Sequence, residues 1–331
     1  MVRLGVDISP LKLTRAGTAR YLTNILDGLE ADPELELRRY EWGSDGKATR
    51  VVRDTGWYRF TLPRAAQRDG VQVLHCPTMR APFRARMPLV VTIHDAAVLR
   101  HPEAFNRWTR TYSAKSLPKV VSAADRIVVG SEFTRDELRA FLDVPEEKIR
   151  VIPYGVGAPF TVDGPAADGA YILAVSTLEP RKNLPRLVEG FQRSGLEGLD
   201  LCVVGAEGWG GVSVDGDRVR RLTDVDDEEL ARLYRGAAAV AYVSLYEGFG
   251  LPVLEAMACG RPVVAPAGPP FSEFAHGVAF EVDPRDPDSI ADGLRRAVAA
   301  GNVPVGAQRA ADYTWERAVE AHVALYRELA G

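Results

Sequence analysis

Residues 237–260 read AAAVAYVSLYEGFGLPVLEAMACG, and the order of residue types in this stretch decides the fold. The apolar run through Val243 suits a strand buried on both faces, ending at Ser244. Gly248 and Gly250 permit a tight turn, Pro252 fits the first turn of a helix, and Gly260 stops that helix. Strand, loop and helix in that order leave a free helix N-terminus at the carboxyl edge of a parallel sheet. Its unpaired N–H groups and positive dipole end suit a phosphate or diphosphate. Glu247 precedes the turn and Glu255 is expected in the first helical turn. Carboxylates beside a phosphate repel it, so their expected work is to accept hydrogen bonds from sugar or ribose hydroxyls. The plainer alternative makes Glu247 a solvated loop residue and Glu255 a complement to the helix dipole.

Working outward, STLEPRKN (residues 176–183) follows the apolar run YILAV and precedes PRLVEGFQRS. Asn183 is expected to cap the next helix, which places Arg181 and Lys182 on a loop leading to a second helix N-terminus. A planar guanidinium beside a point charge suits a diphosphate that gains charge as its bond to sugar breaks, although two adjacent cations are also common at surfaces. The same alternation of apolar runs and amphipathic segments extends along the chain. Strands are predicted at residues 3–8, 71–75, 89–93, 126–129, 171–175, 201–204, 219–222, 240–243, 262–265 and 278–280. Helices are predicted at 18–29, 106–122, 134–142, 185–194, 227–235, 251–259, 287–299 and 314–329. The pattern is that of α/β domains with wound parallel sheets. The Gly- and Pro-rich stretch 156–169 reads as a linker, giving domains 1–160 and 170–313, with a terminal helix in 314–331.

The chain has 331 residues, a formal net charge of −4 and 26% charged residues, with no apolar run long enough to span a bilayer. Composition excludes a disordered or collagen-like chain, and the start has no signal-peptide pattern. Cys76, Cys202 and Cys259 are expected to be buried thiols in a reducing, cytoplasmic setting. Residues 1–160 hold 25 Lys and Arg against 19 acids, while residues 161–331 hold 16 against 26. An acidic chain is a poor nucleic-acid binder, but the basic first half is open to a local anionic partner.

STLEPRKNLPRL (176–187), LARLYRGAAAVAYVSLYEGFGLPVLEAMACGRPVVA (230–265) and VDPRDPDSIADGL (282–294) together resemble the retaining glycosyltransferases of family 4. RAGTARYLTNIL (15–26), VVTIHD (90–95), RIVVGSEFT (126–134) and KIRVIPYGV (148–156) extend the resemblance over nearly the whole chain. It implies the GT-B fold, two Rossmann-like domains facing across a cleft, with the terminal helix returning to the first domain. It implies the E-x7-E pair at Glu247 and Glu255, the first for donor-sugar hydroxyls and the second for the nucleotide ribose. Arg181 and Lys182 would bind the diphosphate, helped by the backbone of Phe249, Gly250 and Leu251. Gly17 would complete the phosphate pocket and His94 would reach the donor sugar. An isolated His94–Asp95 pair would otherwise read as a histidine satisfied by its neighbour. Ser176 and Arg221 stand where relatives commonly have glycine.

The implied reaction moves a hexose, mannose from GDP-mannose by resemblance of the LEPRKNL loop to mannosyltransferases, to a sugar, lipid-linked or small-molecule acceptor. A nucleotide-sugar epimerase or phosphorylase, or a binding protein without catalysis, are the competing readings. The nucleotide sugar is a substrate, and no cofactor is expected. The triplets Asp215-Gly-Asp217, Asp224-Val-Asp226 and Asp286-Pro-Asp288 are read as loop or helix-start carboxylates and no metal is expected; His75, Cys76 and His101 lack companions at zinc spacing. The segment 105–121 combines Trp108 and Tyr112 with Arg107, Arg110, Lys115 and Lys119, a pattern compatible with an anionic membrane surface. A core aromatic pair with a solvated basic face is the plainer reading, since Pro118 is expected to break the helix.

Overall fold

The computed structural model describes residues 1–13, 17–42, 47–105 and 107–331. Arg15 and Ala16 of the first quoted loop, and Asn106 at the expected start of a helix, lie outside the described residues. The chain divides into two compact units, Met1–Tyr154 with Trp315–Gly331, and Gly155–Thr314.

The first unit is built on six parallel strands: β1 (Val2–Asp7), β2 (Leu35–Tyr40), β3 (Val73–Cys76), β4 (Leu89–Thr92), β5 (Arg126–Val129) and β6 (Ile149–Val151). Their order is β2-β1-β3-β4-β5-β6. The central β3 and β4 are buried along their whole length, as the unbroken apolar runs demand. The two strands that the sequence reading lacks are the edges. β2 carries Glu36, Arg38 and Arg39, and β6 has only three residues, so neither shows an apolar run. Helix α1 (Gly17–Ala31) buries Tyr21, Leu22, Ile25, Leu26 and Leu29 on one face. A helical segment that the periodicity did not reveal runs Lys47–Val52, Arg53–Thr61 and Leu62–Arg68, its middle part π-helical. Helix α2 (Arg107–Ala123) continues through Pro118, against expectation. Leu117, Val120 and Val121 are buried on either side of the proline, and this packing holds the last turn despite the missing N–H.

The second unit repeats the plan with β7 (Tyr171–Val175), β8 (Asp200–Val204), β9 (Val219–Leu222), β10 (Ala239–Ala241), β11 (Val263–Pro266) and β12 (Phe280–Val282), ordered β12-β11-β10-β7-β8-β9. Its helices include α3 (Leu184–Ser194), α4 (Asp227–Gly236), α5 (Leu251–Ala258) and α6 (Pro287–Ala300). β10 stops at Ala241, three residues short of Ser244. The last strand starts at Phe280 because Val278 and Ala279 turn back to bond the carbonyl of Ala275. Asp226 and Asp286, read as helix-start carboxylates, are N-caps that accept from the amides of Glu229 and Asp288. The stretch 156–169 is irregular and fastened within this unit, since Arg235 donates to the carbonyls of Pro159 and Pro165. All three cysteines are free and buried.

The terminal helix α7 (Trp315–Ala330) completes the first unit. It lies so close to α1 that a Cβ on Gly28 would stand 2.4 Å from Val319 Cγ2, so only glycine permits the contact. Five buried groups beside it form a hydrogen-bond chain of one polarity. Tyr326 O–H donates to His75 Nδ1 (2.8 Å), His75 Nε2–H to Thr92 Oγ1 (2.8 Å), and Thr92 O–H to Tyr21 Oη (3.1 Å). Tyr21 O–H then donates to His322 Nε2 (2.9 Å), whose Nδ1–H reaches the Ala318 carbonyl (2.7 Å). The anchoring carbonyl fixes the His322 tautomer and thereby every direction upstream. Both rings must be neutral for this pattern, and burial depresses the two histidines, His322 to about 4.

The sign of the pH effect follows. Above the ordinary histidine pKa neither the folded nor the unfolded chain protonates His322. Between about 6.5 and about 4 the unfolded chain takes a proton that the native state refuses, so stability falls with pH. We expect urea midpoints to decline through this window, with about 3 kcal/mol attributable to His322. In His322→Phe the slope should lose one proton's share, and an unchanged slope would refute the neutral assignment.

Candidate functional site

In a wound parallel sheet, ligands bind where the strand order reverses, because the two loops there diverge and leave a crevice at the carboxyl edge. In the second unit the chain runs β7 to β8 to β9 in one direction and then returns to lay β10 on the other side of β7. The reversal therefore lies between the loop after β7, residues 176–183, and the loop after β10, residues 242–250. These are the two stretches that carry the expected site.

The loops are bolted together through the main chain. Leu245 N donates to the Arg181 carbonyl at 2.8 Å, and Arg181 Nη1 donates to the Tyr246 carbonyl at 2.8 Å. Asn183 does occupy the position before α3, but its side chain is not the expected cap acceptor. In a left-handed conformation (φ 61°) it turns away, and its Nδ2 donates to the carbonyls of Val243 and Pro284 at 3.0 and 2.6 Å. Joining the two loops outweighs capping here, because both carbonyls are at chain segments that leave the sheet.

On this frame sit two cations and two carboxylates. Arg181, in the short helical turn Pro180–Lys182, pairs with Glu179 Oε1 at 2.9 Å and with Glu247 Oε2 at 3.0 Å. Lys182 Nζ lies 2.7 Å from Glu247 Oε1 and donates to Tyr242 Oη at 2.8 Å. Ser244 Oγ donates to Glu247 Oε1 at 2.6 Å. Glu247 is only 8% exposed, so the solvated-loop alternative fails. Burial alone would raise its pKa, but Arg181, Lys182 and the Lys182 and Ser244 hydrogen bonds hold it down to about 2. Burial lowers the Lys182 ammonium from its ordinary value, with Glu247 working against the shift.

Gly250 opens α5 with φ 106°, and a Cβ there would meet Phe271 Cε1 at 2.5 Å, so this position requires glycine on both counts. Phe249 is buried and stacked on Phe274 with centroids 5.1 Å apart. Leu251 is the first residue of α5. Glu255 is the fifth, beyond the first turn where the sequence reading put it, and is 1% exposed. Its Oε2 accepts from Tyr234 O–H on α4 at 2.9 Å, so it is no surface partner of the dipole. Glu179, Tyr242 and Ser244 were missed by sequence reasoning. A glutamate one residue before Pro180 and a serine at the end of an apolar run were the only signals.

Arg221 occupies β9 and donates to the Gly205 carbonyl at 3.3 Å. With Leu178, Val212, Val214 and Val219 it lines a cavity of about 410 Å³ in this unit. Gly17 and His94 belong to the first unit. Gly17 is the exposed first residue of α1. His94 is not satisfied by Asp95, whose carboxylate instead accepts from the Ala97 amide. His94 Nε2–H donates to the Pro77 carbonyl at 3.0 Å and its Nδ1 accepts from Tyr154 O–H at 2.6 Å. Both ring nitrogens are thus engaged, and burial lowers the ring's pKa.

Two family models match the chain: "Glycosyltransferase Family 4" over residues 17–158 and "Glycosyl transferases group 1" over residues 169–300. The O-antigen chain mannosyltransferase B of Escherichia coli is 28% identical over 97% of this chain and 98% of its own length. The D-inositol 3-phosphate glycosyltransferase of Mycolicibacterium smegmatis is 30% identical over 73% of this chain and 62% of its own. Among solved structures, a sucrose-phosphate synthase from Thermosynechococcus elongatus superposes with TM-score 0.79 at 19% identity, over 99% of both chains. Anabaena HepE, solved with UDP and glucose, gives 0.76 at 17% identity over 99% of this chain and 100% of its own. These likenesses establish the GT-B fold.

The ion cluster makes a stability prediction. Glu247→Ala leaves two buried cations short of a carboxylate and should cost about 3 kcal/mol. Lys182→Met should cost less in the Glu247→Ala background than in the parent protein, because the charge it removes is by then a burden. A double-mutant cycle by urea unfolding tests this, and additive losses would mean that the pair is not coupled.

Proposed function

Since the chain belongs to the glycosyltransferases of family 4, we propose that it transfers a hexose, mannose, from GDP-mannose to an acceptor hydroxyl with retention and without a metal. The observation that carries this reading is the cluster of Arg181, Lys182 and Glu247 beside the start of α5, at the point where the strand order of the second unit reverses. Arg181 and Lys182 supply two positive charges for the diphosphate, the task a metal performs elsewhere. The amides at the start of α5 add neutral donors. Glu247 accepts from sugar hydroxyls and Glu255 from the ribose. The nucleoside has room in the cavity beside Leu178, three residues before Arg181.

The chemistry is front-face displacement. The C1–O bond to the diphosphate breaks, the acceptor oxygen bonds to C1 from the same face, and the acceptor's proton passes to the departing phosphate oxygen. The rate then depends on stabilising negative charge on that phosphate, which is the work of Arg181 and Lys182. The likeness to O-antigen chain mannosyltransferase B over nearly the full length of both proteins supports mannose, and a polysaccharide or lipid-linked glycan as acceptor. The reaction belongs with soluble nucleotide sugars, hence the cytoplasm.

Before the donor arrives, Glu247 holds the cations that the diphosphate needs. Donor binding therefore exchanges one anion for another and frees Glu247 for the sugar. This predicts opposite effects from one substitution. Glu247→Gln should tighten GDP binding several-fold, measured calorimetrically, while transfer from GDP-mannose falls a hundredfold or more. Weaker GDP binding by this variant would show that Glu247 does not compete for the cations.

Arg181→Ala and Lys182→Ala should each lower turnover by about a hundredfold or more. The direct test is product analysis with GDP-mannose, UDP-glucose and an acceptor panel. Transfer from UDP-glucose alone would overturn the donor, an inverted linkage would overturn retention, and an epimerised donor formed without acceptor would overturn transfer itself. Full activity in chelator is expected, and loss that added divalent metal restores would overturn metal independence.

A further inference from the structure

Outside the site, three segments of the first unit have an extreme charge balance. Residues 53–68, 79–88 and 107–123 hold eleven Lys and Arg and a single acid, Asp54. That acid is fully buried, where it pairs with Arg53 and Arg80 at 3.0 and 3.1 Å. The segments form one continuous patch. The ring of Phe83 lies 4.7 Å from the Arg59 guanidinium and 5.6 Å from Lys119 Nζ, joining all three. Asp54 also links the first segment to α2, accepting at its backbone carbonyl from Tyr112 O–H at 2.8 Å.

Apolar side chains project from the same segments and their N-terminal extension. Phe60 is 53% exposed and Trp108 is 42% exposed, and Val51 and Val52 are exposed too. Trp108 stacks on Tyr112 (5.7 Å, 17°) instead of entering the core, which overturns the reading of a core aromatic pair. Arg59, Arg64, Arg84, Arg86, Lys115 and Lys119 are exposed on the same segments, and the Arg64 guanidinium lies 5.5 Å from the Phe60 ring. Scattered exposed apolar residues need no explanation, but four on linked segments rich in exposed cations do.

We propose that this patch of the first unit docks on an anionic lipid bilayer, with Phe60, Trp108 and the two valines entering the headgroup boundary and the cations facing lipid phosphates. A soluble polyanion would use the charges and leave the aromatic side chains idle, whereas a bilayer interface uses both. Among the described residues no helix is long and apolar enough to cross a membrane, so the contact is peripheral. Each cation near such a surface contributes about fivefold in partitioning, and salt screens the contribution.

The test needs neither donor nor acceptor, so its result is separate from that of the transfer reaction. The intact protein is sedimented with vesicles of phosphatidylcholine alone or with one third phosphatidylglycerol, at low and high salt. Binding is expected to the anionic vesicles only and to fall with salt. Two variants divide the contributions. Arg59→Glu with Lys115→Glu should weaken binding by two orders of magnitude or more, and Phe60→Ser should weaken it about tenfold. Circular dichroism and melting check that each remains folded. Bilayer-depth quenchers should quench Trp108, with Trp108→Phe identifying the signal. Absence of anionic-vesicle binding, equal binding to neutral vesicles, or binding by Phe60→Ser equal to the parent protein would overturn the proposal. So would equally tight binding to heparin without tryptophan quenching, which would assign the patch to soluble polyanions.

Discussion

Parallel strands cannot be joined by a tight turn, and each return to the same edge takes a crossover packed on a face of the sheet. A sheet that grows first to one side and then to the other must reverse once, and at that reversal two loops part. Everything chemical in the second unit follows from this constraint. It brings residues 176–183 and 242–250 side by side although some 60 residues separate them, and it aims the start of α5 into the gap. The same constraint acts on the first unit, where the order reverses between β1 and β3. Asp7 there is fully enclosed and accepts hydrogen bonds from Ser9 and Tyr58.

The second-unit site is electrically closed in the form described. Two carboxylates answer two cations, and burial is tolerable only because each charge has a counterpart within hydrogen-bonding distance. A bare pair of buried cations would bind anions more tightly but would burden folding. A carboxylate that leaves its partners when an anion binds would resolve the conflict, and under the proposed reaction Glu247 would be that stand-in for phosphate. Glu179 differs from Glu247 in this respect. It sits on the same turn as Arg181 and fixes the direction of the guanidinium, whereas Glu247 reaches across from the opposing loop.

The legible part of the sequence was the part under the strongest packing demand. Strands such as β7 and β5 are buried along most of their length and read as apolar runs, that of β5 following Arg126, with correct bounds. Edge strand β2 alternates charge with leucine and escaped notice, and the π-helical stretch Arg53–Thr61 has no regular period to detect. In the site, residue type beside a helix start points to Arg181, Lys182, Glu247 and Glu255, and all but Glu255 enter one ion cluster. What could not be read was partnership. Nothing local shows that Glu255 would meet Tyr234, that Asn183 would spend its amide on joining loops, or that His94 would find Tyr154 sixty residues on.

The one-way hydrogen-bond chain starts and ends on α7, which follows both sheets in sequence, and this imposes an order on synthesis. The ribosome delivers β1 to β6 first, then the whole of Gly155–Thr314, and only then Trp315–Gly331. At roughly 5–20 residues per second, the first sheet waits about 10–30 seconds for its closing helix. During that interval His75 and Tyr21 lack their final partners, Tyr326 and His322, and the groove of Gly28 is open. The second unit, continuous in sequence, has everything it needs from the moment it emerges. A nascent chain halted before residue 315 would therefore contain a complete second unit and an unfinished first one, a natural substrate for chaperones.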